Sequence, residues 1–174
     1  MPPWIGVAVR LTTYTDYSLR MLMYLAARDD GLATIADVAD AYGISKAHLT
    51  KVAHQLGLAG YVATVRGRGG GLRLARPAAG ISVGDVVRRT EPDMALVPCF
   101  EPLHEHCPIT PACGLRGALY EARQAFLAVL DRYSLADLVR RRVDLATLLG
   151  GLPSHANAGP SQADGEASKD IILV

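Results

Sequence analysis

The stretch ISKAHLTKVAHQLGLAGYVATVRGRGGGLRL, residues 44–74, decides how this chain folds. In its first half Leu49, Val52, Ala53 and Leu56 return every three or four positions, which lines them up on one buried helical face. Ser45 stands just ahead, a residue whose hydroxyl can satisfy a free amide of the first turn. The spacing therefore predicts a helix over 45–58, with Gly60 after it. The period then changes. Residues 61–65 and 72–74 alternate apolar and polar on either side of a glycine-rich tip, the pattern of a β-hairpin. Arg66 and Arg68 sit at that tip beside Gly69, Gly70 and Gly71, so two cations ride on backbone with few steric limits. A phosphate-cradling glycine loop would open a helix, whereas a strand-like segment follows here, which argues against nucleotide binding.

Outward from this stretch the chain extends the same pattern. Thr34 precedes IADVADAY, a short helix over 35–42 that turns Ile35, Val38 and Ala39 inward, and Gly43 ends it in a turn. Two helices about a glycine turn make a helix-turn-helix, and the hairpin after them reads as its wing. Upstream, Thr15 caps a helix to about residue 28 with Leu19, Leu22, Met23 and Ala26 on its apolar face, and Gly31 stops it. Downstream, Ser82 caps VGDVVRRTE, which Pro92 follows. The longest helix is expected over 115–133, where Leu115, Leu119, Ala122, Phe126, Val129 and Tyr133 form a narrow seam suited to packing against a second copy. Ser134 opens a further helical piece, SLADLVRRR. The predicted fold class is mainly α: a winged helix-turn-helix with a β-hairpin wing and a long C-terminal dimerisation helix. Its divisions are an N-terminal extension (1–10), the DNA-binding domain (11–91), a loop (92–114), the dimerisation and C-terminal helices (115–150), and a Gly-, Ser-, Ala- and Pro-rich tail (151–174) expected to be disordered.

Bulk properties agree with one soluble domain. The chain has 174 residues, half of them hydrophobic and a fifth charged, with a net charge of +1. No apolar run reaches the ~18 residues of a membrane span. The opening MPPWIGVAVR has neither a leading basic cluster nor a long apolar core, so no secretory signal is expected and the protein reads as cytoplasmic, with no membrane partner. Divided along the chain, the charge is uneven. Residues 45–89 carry Lys46, Lys51, Arg66, Arg68, Arg73, Arg76, Arg88 and Arg89 against the single acid Asp85, a local balance of +7. Such a block is the footprint of a face that neutralises phosphates. There is no cofactor fingerprint and no clear nucleophile and base pairing, so an enzyme is not expected.

All three cysteines, Cys99, Cys107 and Cys113, fall within fifteen residues. An odd number of thiols so clustered in a cytoplasmic protein points to a metal or redox site rather than a disulfide framework. Pro98, Pro102, Pro108 and Pro111 stiffen the loop that carries them. The spacing departs from the paired CxxC of a structural zinc site, although zinc or thiol oxidation stays open as an alternative. Thiolates are the usual ligands of iron–sulfur clusters, which need four ligands, so one place is left unfilled. His104, Glu105 and His106 lie close in sequence and read more simply as exposed polar residues. A small iron–sulfur electron carrier is a further alternative, weakened by the missing fourth cysteine.

LTTYTDYSLR (11–20), YGISKAHLTKVAHQL (42–56), AGYVATVRGRGGGLRLARP (59–77) and CPITPACGLRGAL (107–119), in that order, resemble the Rrf2 family of bacterial transcription regulators, and within it the branch of nitric-oxide-sensitive repressors. The resemblance runs from residue 9 to about 149. It implies a homodimeric repressor of nitric oxide detoxification genes holding an iron–sulfur cluster, 4Fe-4S with 2Fe-2S as the alternative, on Cys99, Cys107 and Cys113. The fourth ligand it implies is a carboxylate from the first helix of the other subunit, which maps onto Asp16. Asp16 also reads as a first-turn acid favoured by the helix dipole. The cluster-biogenesis branch carries a histidine three residues after the third cysteine, where this chain has Arg116. Val9 stands at the family's initiator position, so translation from a valine codon is expected. On this reading Ser45, Lys46, His48 and Lys51 face bases or phosphates in the major groove. Arg66, Arg68, Gly69 and Gly70 reach the neighbouring minor groove. A dimer would then read an inverted repeat of double-stranded DNA, with half-sites about 10 base pairs apart or a multiple of that.

Overall fold

Helix α1 (Thr13–Ala27) begins one turn's cap earlier than the sequence suggests. In this computed structural model, which describes residues 10–28, 32–100, 107–149 and 171–172, Thr12 is the cap, and its Oγ1 accepts the Thr15 amide at 3.3 Å. Thr15 is instead buried within the first turn. A distant residue makes the difference: the Glu91 carboxylate accepts from both the Thr12 amide (2.8 Å) and the Thr12 hydroxyl (3.1 Å), 79 positions away. The buried face of α1 is also rotated from the expected one. Met21, Leu22, Tyr24 and Leu25 are buried, while Leu19, Met23 and Ala26 pack beside them half-covered. Elements lie against α1 on several sides, so its covered arc is wider than one amphipathic stripe.

α2 (Ile35–Tyr42) starts at a complete capping box, the Asp37 amide donating to Thr34 Oγ1 (3.1 Å) and the Thr34 amide to Asp37 Oδ2 (2.7 Å). It ends at Gly43, whose φ of +64° is a left-handed value that costs glycine little. α3 (Lys46–Leu58) follows from its Ser45 cap and buries Leu49, Val52, Ala53 and Leu56, as the periodicity predicts. These side chains meet those of α1, α2, Tyr61, Val62 and Leu72 in one core. Each fully buried Leu or Val there contributes roughly 1.5–3 kcal/mol of transfer free energy.

Strands β1 (Val62–Val65) and β2 (Gly71–Leu74) pair antiparallel, with Val62 opposite Leu74 and Val65 opposite Gly71. The hairpin is stitched to the segment before α2: the Ala33 amide donates to the Leu72 carbonyl (3.0 Å) and the Leu72 amide to the Ala33 carbonyl (2.7 Å). α4 (Val83–Thr90), capped by Ser82 as expected, then packs on α1.

α5 (Gly114–Asp131) is the longest helix, and its cap residue is Cys113. The last helical piece divides into α6 (Leu135–Leu138), opened by a Ser134–Asp137 capping box, and α7 (Arg142–Leu148). Within the stretch expected to be disordered, Ile171–Ile172 form a short strand, β3, that pairs antiparallel with Thr64 and Val65 on the free edge of β1. A β-branched pair meeting an unpaired strand edge accounts for it. The rest of the 151–174 tail, residues 1–9 with Val9, Gly31, and 101–106 with His104, Glu105 and His106 lie outside the described residues. No described helix is long and apolar enough to cross a membrane.

Candidate nucleic-acid interface and cysteine loop

Because α3 turns its apolar residues to the core, its remaining face is left to solvent. Ser45, Lys46, His48 and Lys51 are all exposed there. Ser45 is committed to the cap, its Oγ accepting the His48 amide at 3.3 Å, which fixes where the helix starts relative to its surroundings. Three exposed polar residues on the same helix escaped the sequence reading: Thr50, His54 and Gln55. They follow Lys46 and Lys51 at three- and four-residue steps, and that spacing was the available signal. Tyr17 of α1 also approaches this face, its ring 6.2 Å from that of His48.

The wing carries the second set of cations. Its strands end at Val65 and Gly71, and the tip between them turns through Gly67 (φ +102°) and Gly69 (φ +73°), with the Gly70 amide donating to the Gly67 carbonyl at 3.0 Å. Space also demands glycine at 70, where a Cβ would overlap the Val65 carbonyl oxygen. Arg66 and Arg68 are exposed, and no acidic side chain among the described residues pairs with either. Further down the hairpin, the Arg76 guanidinium lies 4.5 Å above the Tyr61 ring. Burial pushes the Tyr61 hydroxyl above its ordinary pKa, although Arg89 and Arg76 pull the other way. Two cation-bearing elements, an exposed helix face and a glycine-tipped hairpin, thus share one rigid support.

The cysteines occupy the path from α4 to α5. Cys99 lies in a single tight turn, Pro98–Phe100, where the Phe100 amide donates to the Val97 carbonyl (2.9 Å). The Cys107 carbonyl accepts the Thr110 amide (3.0 Å), and Cys113 then caps α5 without using its sulfur. All three thiols are free and half-buried. Cys113 lines a cavity of about 450 Å³ with Phe100, Thr110, Arg116, Gly117, Tyr120 and Arg123. Phe100, the neighbour of Cys99, is therefore brought to the end of the helix that Cys113 starts. The structure does not gather a complete donor set, for among the described residues no three His, Cys, Asp or Glu side chains are grouped to hold a metal ion. Asp16 sits in the first turn of α1, its carboxylate paired with Arg20 at 2.9 Å, each about 44% exposed. Arg20 in turn lies 5.7 Å from the Tyr42 ring centre.

The seam of α5 is uncovered. Leu115, Phe126 and Val129 are 65%, 43% and 43% exposed, Tyr133, expected in the helix but just past its end, is 46% exposed, and on this helix only Leu127 is buried among the described residues. A row of large apolar side chains in water is a surface that a partner normally covers.

The chain is similar to known proteins over most of its length. A family model, Rrf2, described as an iron-dependent transcriptional regulator, matches residues 11–141. The HTH-type transcriptional regulator NsrR of Bacillus subtilis (strain 168) is 51% identical over 142 residues, spanning 81% of this chain and 97% of that protein. Its namesake in Geobacillus kaustophilus is 50% identical over the same span, with the same coverage. Among solved structures, CymR, the global cysteine regulator of Bacillus subtilis, aligns with a TM-score of 0.63 at 27% identity, covering 77% of this chain and 98% of that one. IscR of T. potens aligns at 0.62 and 26%, covering 78% and 88%.

Proposed function

Because this chain belongs to the Rrf2 family of transcriptional regulators, we propose that it is a DNA-binding repressor whose hold on an inverted-repeat operator depends on an iron–sulfur cluster and is released by nitric oxide. The relatives are named as regulators rather than enzymes, in agreement with the absence of a catalytic constellation in the sequence. The observation that carries the proposal is the position of Cys113. It caps the helix whose apolar seam faces solvent, so thiol chemistry there would bear on the surface offered to a second copy.

The donor set fits the cluster by its chemistry. Cys99, Cys107 and Cys113 are free, and soft thiolates are what iron–sulfur clusters take. Asp16 of the partner subunit is the proposed fourth ligand, and it would be a harder and weaker donor than a thiolate. When bound, the cluster supplies iron with which nitric oxide reacts. The chain does the rest. With its three sulfurs tied, the loop would fix the Cys113 end of α5; untied, that end would be free to swing about the last turn, which Arg88 and Asp131 hold to α4. In a dimer held along the α5 seam, such a shift changes the spacing of two α3 helices and two wings. Lys46, His48 and Lys51 then no longer meet the major groove in both half-sites at once, and Arg66 and Arg68 lose the neighbouring minor groove. A coupling of ~1 to 3 kcal/mol is enough for such a switch. Without a cluster, Asp16 pairs with Arg20 of its own chain, as it does in this structure.

Protein purified without oxygen tests this. The expected result is brown protein with visible absorbance, iron and inorganic sulfide, bleached by nitric oxide with parallel loss of operator binding in band shifts. Colourless protein that contains zinc, or equal operator binding with and without cluster, overturns the proposal.

A further inference from the structure

We propose that Arg123 is a positioning residue that pins the Cys99 turn to the helix capped by Cys113, and so presets two of the three sulfurs before any iron arrives. The proposal rests on reading the cysteine loop as the iron–sulfur site. Its basis is a stack: the Arg123 guanidinium lies 5.1 Å from the Phe100 ring centre and 5.1 Å from that of Tyr120. Cys113, Arg116, Tyr120 and Arg123 follow one another at three- and four-residue steps along α5, so they form one stripe running from the cap. Phe100 lies over that stripe and closes one side of the cavity that Cys113 lines.

Met94, Leu96 and Val97 are half-buried, but no hydrogen bond among the described residues ties the Cys99 segment to a distant element. Among the described residues of 93–100 the hydrogen bonds are local, the Ala95 amide to Asp93 Oδ1 (2.9 Å) and the Phe100 amide to the Val97 carbonyl (2.9 Å). The turn carrying Cys99 is thus internally stiff but fastened to α5 through Phe100. Because Cys99 and Phe100 are consecutive, their Cα atoms are ~3.8 Å apart, and holding the ring holds the sulfur's backbone. Arginine suits the task better than lysine, since a planar guanidinium presents two faces and can lie on two rings at once. Arg123 is half-buried as a whole, as a long side chain laid along a surface is.

The test uses the full-length chain and two readouts. In cluster-loaded protein, the rate of iron loss to a chelator is followed by visible absorbance for wild type, Arg123→Gln, Arg123→Lys, Phe100→Leu and the Gln/Leu double variant. In metal-free protein, the alkylation rates of Cys99 and Cys107 by iodoacetamide are compared by mass spectrometry. Losing both ring contacts is expected to speed iron loss about five- to thirtyfold in Arg123→Gln. Phe100→Leu should act in the same direction, Lys should restore part of the effect, and the double variant should be no worse than the stronger single one. In the metal-free chain Cys99 alkylation should rise in the Gln and Leu variants while that of Cys107 stays level. Unchanged Cys99 alkylation in both variants overturns the pin. If wild type holds no cluster the repressor proposal falls instead, and the alkylation arm still decides whether Arg123 fastens Cys99.

Discussion

Arg88 and Asp131, 43 positions apart, form a two-pronged ion pair, Nη1 to Oδ1 at 2.7 Å and Nη2 to Oδ2 at 2.6 Å. The pair joins α4 of the DNA-binding domain to the last turn of α5. The Val83 amide on the Tyr133 carbonyl (3.0 Å) and the Leu135 amide on the Ile81 carbonyl (2.8 Å) reinforce the junction. A Cβ at Gly84 would overlap the Asp131 carboxylate, so the sequence leaves glycine there. Arg88 holds the Asp131 carboxyl below its ordinary pKa. A carboxyl depressed on folding adds stability above its unfolded pKa of about 3.9 and loses it as pH falls through the folded value. The difference in stability between wild type and Asp131→Asn should therefore be present at pH 6 and close as the solution is acidified below pH ~4. Urea unfolding at a series of pH values measures it. A gap that is the same at every pH would count against the pair. Both groups are well exposed, so the effect is small and is weakened by salt.

Gly70→Ala should damage the wing without unfolding the domain. Its new methyl meets the Val65 carbonyl, which belongs to the tip's own turn, while the core built on Leu49 and Leu22 is elsewhere. Operator affinity is expected to fall about tenfold or more, with a thermal midpoint within ~4 °C of wild type. Band shifts and calorimetry on one preparation check both halves, and undiminished affinity would mean the tip does not touch DNA.

Arg66→Ala and Arg68→Ala should each flatten the salt dependence of DNA binding. Every phosphate contact removed lowers the slope of log K against log salt by about 0.9, and a twofold dimer loses two contacts per substitution. Fluorescence titration across salt concentrations gives the slope directly. A slope unchanged in both variants would place the wing away from the backbone phosphates.

Phe126→Asp puts a charge in the middle of the exposed seam of α5, where it costs the single chain little because the ring is already 43% exposed. Sedimentation should show a monomer whose helical content by circular dichroism matches wild type. Losing the second half-site contact should weaken operator binding about a hundredfold or more. A dimer that survives both this change and Val129→Asp would put the twofold interface on another surface.

The DNA-binding elements were legible in the sequence because their signals are local. The caps at Ser45 and Ser82, the turn at Gly43, the buried face of α3 and the glycine tip each depend on residues within a few positions. Where the sequence misled, a distant partner decided. Thr12 displaced Thr15 as the cap of α1 through Glu91, and the covered arc of α1 reflects neighbours on several sides. The cysteine trio was legible as a cluster of thiols on the loop that leads into α5, and the packing of the Cys99 turn on α5 was not, because the contact between Phe100 and Arg123 is tertiary with no spacing rule. Asp16 shows the limit most plainly: in its own chain it is an ordinary partner for Arg20, and the ligand role proposed for it belongs to an assembly of two chains.

The two hydrogen bonds between Ala33 and Leu72 have a bearing on how such a protein changes its target. Gly71 approaches the same Ala33 carbonyl too closely for any side chain, so the hairpin is welded to the segment before α2 right up to its tip and only residues 66–70 overhang. Retargeting by transplanting α3 alone would leave it beside a hairpin set for different grooves. The exchangeable cassette is residues 33–74 entire, and reshaping the overhang is the cheapest edit that leaves the weld intact.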